Sequence, residues 1–112
     1  MNLFKMFSKS RKSSARKKAL ERVMYGCTLA NSKQYDDAIT LFQDAIEVDS
    51  NCAEAHFELG LMYTKKEMND EAVTEYNRAI EINPDYKTKV ADITPHQEEE
   101  EFDIIKELKK NL

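Results

Sequence analysis

The 112-residue sequence predicts an all-α fold, a stack of antiparallel helical hairpins closed by a C-terminal helix. Three observations predict it. A block covering residues 19–52 recurs as residues 53–86, at a shift of 34. Each block holds two stretches in which apolar residues return at three- and four-residue steps, the spacing of one helix face. Gly and Pro number only two each, while Ala, Leu, Glu and Lys are plentiful, a composition that favours helix over sheet.

Residues 1–18 form a basic arm. Lys5, Lys9, Arg11, Lys12, Arg16, Lys17 and Lys18 stand there without an acid, a charge of +7. The other 10 of the 17 basic residues face all 21 acids, which leaves the rest of the chain at −11. Set on a helix, Lys5, Lys9, Lys12 and Arg16 share one face, and Leu3, Phe4, Met6 and Phe7 lie opposite. That pattern is compatible with weak attachment of residues 1–18 to an anionic membrane surface. It competes with a solvated tail, a targeting signal and nucleic-acid contact, and the acidic body disfavours the last. Phosphorylation among Ser8, Ser10, Ser13 and Ser14 would weaken an electrostatic attachment.

The first hairpin spans 19–52, with helices expected near 14–31 and 35–48. Val23, Gly26, Leu29 and Ala30 mark the first apolar face; Ala38, Leu41, Phe42, Ala45 and Ile46 mark the second. The second hairpin spans 53–86, with helices expected near 53–66 and 70–82. Ala19 aligns with Ala53, Gly26 with Gly60, Ala38 with Ala72, Phe42 with Tyr76, Ala45 with Ala79, and Ile46 with Ile80. A glycine inside a helix costs roughly 0.5–1 kcal/mol relative to Ala. Two of them at one phase of the repeat imply a close helix–helix approach, with Ala38, Ala45, Ala72 and Ala79 giving room on the partner helix. Asn83-Pro84 ends the second unit, because the residue before proline is biased away from the helical region.

Residues 87–112 hold a linker and a capping helix. Val90, Ala91 and Ile93 begin a further helix that Pro95 interrupts. Thr94-Pro95-His96-Gln97 then reads as a helix start, with Thr as cap and Pro at the first helical position. Glu98 to Glu101 suit the positive end of that helix, and Lys106, Lys109 and Lys110 suit its other end. Phe102, Ile105, Leu108 and Leu112, joined by Ile104, form an apolar stripe. A cap over the exposed end of the second unit accounts for it; docking in a groove of its own or of another molecule is the competing reading.

The 34-residue period and its paired helices resemble the tetratricopeptide repeat (TPR) family over 68 of the 112 residues. In the second unit Leu59-Gly60-x-x-Tyr63, Ala72, Tyr76, Ala79 and Pro84 match the family's pattern. In the first, Tyr25-Gly26-x-x-Leu29, Ala38, Phe42 and Ala45 take the same places, with Ser50 for the proline. His56 stands where the family favours Trp, and Lys33 and Glu67 stand where it favours Gly between helices. The resemblance implies a right-handed stack whose first helices line a concave groove. Leu20, Val23, Cys27, Ala30 and Asn31 would face it from unit one. Glu54, Phe57, Glu58, Leu61, Thr64 and Lys65 would face it from unit two. The groove would be apolar at its centre with an acidic fringe of Glu54 and Glu58. Members that grip the acidic tail of heat-shock proteins use Lys, Asn and Arg; Val23, Cys27 and Glu58 at those places argue against such a ligand.

Signals of chemistry are weak. There is no Gly-rich phosphate loop and no nucleophile elbow. Cys27 and Cys52 form no C-x-x-C pair, and His56 and His96 lack zinc-ligand spacing from them, so no metal or cofactor is expected. Cys27 with His56 imitates a nucleophile and base but has no third group and no oxyanion hole. The expectation is a non-catalytic adaptor or scaffold that binds an apolar peptide or helix segment of a protein partner. A self-assembling homo-oligomer and a membrane-surface adaptor are the alternatives. Unpaired thiols and the lack of a signal-peptide pattern suggest a cytoplasmic location, peripheral to a membrane if the arm attaches.

Overall fold

The computed structural model describes residues 3–93 and Leu108, with side chains described from Ser14 onward. Five helices follow one another: α1 (Leu3–Asn31), α2 (Tyr35–Val48), α3 (Ala53–Lys65), α4 (Asn69–Ile82) and α5 (Tyr86–Ile93). α1 pairs with α2 and α3 with α4; α3 packs on both helices of the first hairpin, and α5 packs on α4. The result is a right-handed stack of two antiparallel hairpins and a fifth helix in the place where a third hairpin would begin.

Two boundaries differ from the sequence expectation. α1 does not start near residue 14 but at Leu3, so most of the basic arm is helix continuous with the first repeat. Lys, Arg, Met, Leu and Ala are good helix formers, and residues 3–18 hold no Gly or Pro to stop it. The short run after Pro84 is a full helix despite Pro95: α5 ends at Ile93, leaving Thr94 to precede the proline. The expected helix over 95–112 lies outside the described residues except for Leu108, which is helical and 7% exposed.

The core is built around two aromatic rings. Phe42 and Tyr76 are the largest side chains with almost no exposure. Each packs against a glycine. A Cβ on Gly26 would sit 2.5 Å from Phe42 Cε1, and one on Gly60 would sit 2.5 Å from Tyr76 Cε1. The close approach foreseen at the glycines is thus made by a ring from the partner helix, while Ala38, Ala45, Ala72 and Ala79, all at 0% exposure, flank that ring one turn away on either side. Ala19, Val23, Phe42, Leu59 and Met62 belong to one continuous apolar cluster across α1, α2 and α3. Ala72, Val73, Tyr76, Val90 and Leu108 form a second.

The loops repeat as faithfully as the helices. Lys33 (φ 63°) and Glu67 (φ 61°) occupy the left-handed region that suits glycine. Around Lys33, Gln34 N–H donates to the Leu29 carbonyl (2.9 Å) and Lys33 N–H to that of Ala30 (2.9 Å). Around Glu67, Met68 N–H donates to Tyr63 (2.8 Å) and Glu67 N–H to Thr64 (3.0 Å). Both are Schellman endings, which satisfy the carbonyls a helix leaves open. At the far ends of the second helices the side chains of Asp49 and Asn83 accept from Asn51 N–H (3.1 Å) and Asp85 N–H (3.0 Å). His56 fills the place of the absent Trp by bridging. Its Nδ1 lies 2.7 Å from Glu75 Oε1 on α4 and its Nε2 lies 3.2 Å from the Ser50 carbonyl. Each ring nitrogen therefore faces a hydrogen-bond acceptor.

Gly26→Ala should cost about 1–2 kcal/mol, overpacking outweighing the better helix propensity of Ala. Phe42→Leu in the same chain should make the combined loss smaller than the sum of the two, a coupling read from urea denaturation of the four-member cycle. Lys33→Gly and Glu67→Gly should each stabilise the chain by about 0.5–1 kcal/mol, because relief of the left-handed strain exceeds the entropy that glycine adds to the unfolded chain. A rise in the thermal midpoint of each variant checks this.

Candidate protein-binding site

The stack sets α1 and α3 side by side, so their outer turns form one face away from α2 and α4. Along it Leu20 and Cys27 of α1 and Leu61 of α3 are half-buried and border the first apolar cluster. Leu61 touches both clusters and so marks the seam between the units. Ala30 is half-buried, and Asn31 and Lys65 are exposed at the rim. The Lys65 ammonium lies 5.8 Å from the centre of the Tyr35 ring.

Other residues expected to face a groove are engaged elsewhere. Val23 is 8% exposed and belongs to the core between α1 and its neighbours. Phe57 lies under α5, its ring centre 5.1 Å from that of Tyr86 and 6.0 Å from that of Tyr76. Thr64 turns toward α4. It donates to the Gly60 carbonyl (3.0 Å) and therefore accepts from the Tyr76 hydroxyl (2.8 Å). Burial pushes that hydroxyl up to about 12.

The acidic fringe also has neighbours. Glu54 accepts from Arg16 of α1 at 2.8 Å, a half-exposed ion pair worth at most about 1 kcal/mol. Glu58 and the Cys27 thiol influence each other across the seam between units. Burial raises the Glu58 carboxyl above its ordinary 4.5, opposed by the neighbouring Cys27 thiol and by the charge of Lys89 on α5. Burial and then the neighbouring Glu58 raise Cys27 to about 11. A thiol so placed is almost wholly protonated at neutral pH and is a poor nucleophile.

Arg16, Tyr86 and Lys89 therefore shape this face although the sequence reading did not select them. Arg16 sits in the arm, Lys89 lies beyond the two aligned units, and Tyr86 is the last aligned residue, opposite Cys52, so the repeat alignment carried no signal for them. Among the described residues no group of three or more His, Cys, Asp or Glu is placed to hold a metal ion, and no helix is long and apolar enough to cross a membrane. No buried side-chain nitrogen or oxygen lacks a hydrogen-bond partner among them.

A right-handed stack of 34-residue hairpins with an aromatic ring seated on a first-helix glycine defines the class. The tetratricopeptide repeat family model matches residues 24–87, more than half of the chain, and the chain belongs to that family. E3 SUMO-protein ligase RanBP2 of Homo sapiens is 34% identical over 80 residues, which make up 71% of this chain and 2% of that protein. RANBP2-like and GRIP domain-containing protein 8 of Homo sapiens is 32% identical over 80 residues, again 71% of this chain and 4% of that protein. The chain thus spans a few per cent of the length of these curated relatives. Among solved structures, YrrB, described as a TPR protein with an unusual peptide-binding site, superposes with a TM-score of 0.59 at 25% identity, covering 69% of this chain and 39% of that one. The repeat fold is a protein-interaction fold and is typically non-catalytic.

Raised in the folded chain, Glu58 holds its proton more tightly there than when unfolded, so ionising it costs stability. The cost is absent below 4.5 and complete once the pH exceeds the raised folded value. Glu58→Gln should therefore melt above wild type at pH 7, with the difference closing as the pH falls below 4.5. Thermal melts followed by circular dichroism across that range check the sign.

Proposed function

We propose that this protein is a non-catalytic adaptor that binds an apolar peptide or helix segment of a protein partner along the α1/α3 face. The observation that carries the reading is the strip of Leu20, Cys27 and Leu61, which hairpin packing leaves half-covered. Most polar groups around the strip are already matched. Arg16 holds Glu54, and burial favours the uncharged form of Glu58, so an arriving ligand meets few groups that need a new partner. An apolar side chain laid along the strip would add buried area without stranding a charge. A helix anchored through residues at three- and four-residue spacing fits such a strip. A strongly acidic tail does not, because it would lie against Glu58 and the net negative body. The relatives' partners are not needed for this reading; YrrB's peptide-binding site supports it as a precedent within the fold. We place the protein in the cytoplasm, in keeping with its free thiols.

Selection from a displayed library of helical peptides tests the proposal. Enriched sequences should carry apolar anchors at i and i+3 or i+4. Their affinity should fall at least about tenfold, or ~1.4 kcal/mol, in Cys27→Arg and Leu20→Glu, with the helical circular dichroism unchanged. No enrichment, or enriched peptides indifferent to both substitutions, would overturn it.

A further inference from the structure

One carboxylate on the α1/α3 face stands without a counter-charge. Glu54, Glu58 and Leu61 follow one another along α3 at steps of four and three residues, so they share one side of the helix. Glu54 is held by Arg16 at 2.8 Å. Glu58 is half-buried, and it belongs to none of the ion pairs among the described residues. Lys89 of α5 attracts it only from beyond ion-pair distance. The Lys89 ammonium rests instead over the Tyr86 ring, 4.8 Å from its centre.

The hairpin does not need a charge at this place. A shift of 34 carries Met24 onto Glu58, so the first unit sets an apolar side chain there. Around Glu58 the surface is apolar, with Leu61 on the next turn and Cys27 across the seam. A carboxylate in such a setting is disfavoured by desolvation and gives the free chain nothing in return. What it offers is a fixed charge beside an apolar strip.

That charge narrows the chemistry of the ligand. A helix laid on Leu20, Cys27 and Leu61 closes over Glu58. If the helix is apolar throughout, closure drives the carboxyl to take up a proton, which is unfavourable at neutral pH. A basic side chain on the same helix removes that cost and adds charge-assisted hydrogen bonds. Arginine suits a half-covered site better than lysine. Its guanidinium is less strongly hydrated and can hold both carboxylate oxygens at once.

We propose that the α1/α3 face selects an amphipathic helix that carries one arginine beside its apolar anchors, and that Glu58 reads the arginine. The inference rests on the adaptor reading above and adds the sign and place of the ligand's charge. Glu58 lies one turn from Leu61, so the arginine stands three or four residues from the anchor that Leu61 receives.

Parallel selections from one displayed library of helical peptides, on wild type and on Glu58→Gln, test this with the full chain. Wild type should enrich arginine, above lysine, three or four residues from an apolar anchor. Glu58→Gln should enrich the anchors without the arginine. In a synthetic peptide of the enriched sequence, arginine should bind wild type about tenfold more tightly than methionine at the same place. In Glu58→Gln that ratio should fall below about twofold, and Glu58→Lys should favour glutamate there instead. Glu71→Gln removes an exposed charge from α4 and should keep the wild-type ratio. Helical circular dichroism confirms that each variant is folded. Apolar anchors enriched on wild type without arginine overturn this inference and leave the adaptor reading standing. An arginine preference that survives Glu58→Gln overturns it too, and assigns the preference to the acidic body at large. If no helix is enriched, both readings fall.

Discussion

Each hairpin is held at its spacing by a ring that rests on a glycine. Phe42 on Gly26 and Tyr76 on Gly60 fill the gap between the paired helices, and the missing Cβ atoms are what let them in. Everything else follows from that depth of contact. The flanking alanines at 38, 45, 72 and 79 are small because the helices are already as close as the ring allows. Leu59 and Met62 reach the first cluster because α3, set by its own ring, presents them to α1 and α2. The propensity cost of a helical glycine, roughly 0.5–1 kcal/mol, is offset by an aromatic side chain with almost no exposure, whose burial contributes more than that.

The connections had to solve a second problem, which is ending a helix without glycine. Lys33 and Glu67 adopt the left-handed conformation despite their side chains, because the Schellman hydrogen bonds on both sides leave no cheaper way to turn the chain. The strain is local and the same in both units. It is tolerated because the packed helices on either side dictate the turn. The boundary between units relies on Asp49 and Asn83, whose side chains close equivalent Asx turns, so the proline present only in the second unit is not required for the geometry.

Four helices were legible in the sequence because apolar spacing, a 34-residue period and paired glycines all report on packing within a hairpin, and packing within a hairpin repeats. What did not repeat was not legible. The extension of α1 to Leu3 leaves no apolar periodicity of the core type, only a lack of breakers. α5 is eight residues long and followed within two residues by Pro95, too short for a period to show. The face of α1 and α3 was assigned from the family resemblance; the structure leaves Leu20, Cys27 and Leu61 half-buried beside the first apolar cluster. The resemblance could not anticipate that Tyr86 would cover Phe57, that Val23 would sink into the core, or that Thr64 would serve the Tyr76 hydroxyl. Those outcomes depend on elements outside the alignment or on the sideways tilt of one unit on the next.

The same distinction separates the two ends of the molecule. A repeat unit buries its own ring but leaves a stacking face on each side. At the C-terminal end α5 and Leu108 cover that face with residues of the chain itself. At the N-terminal end nothing described covers Tyr25, although the equivalent Leu59 shows how fully that position is buried when a hairpin lies before it.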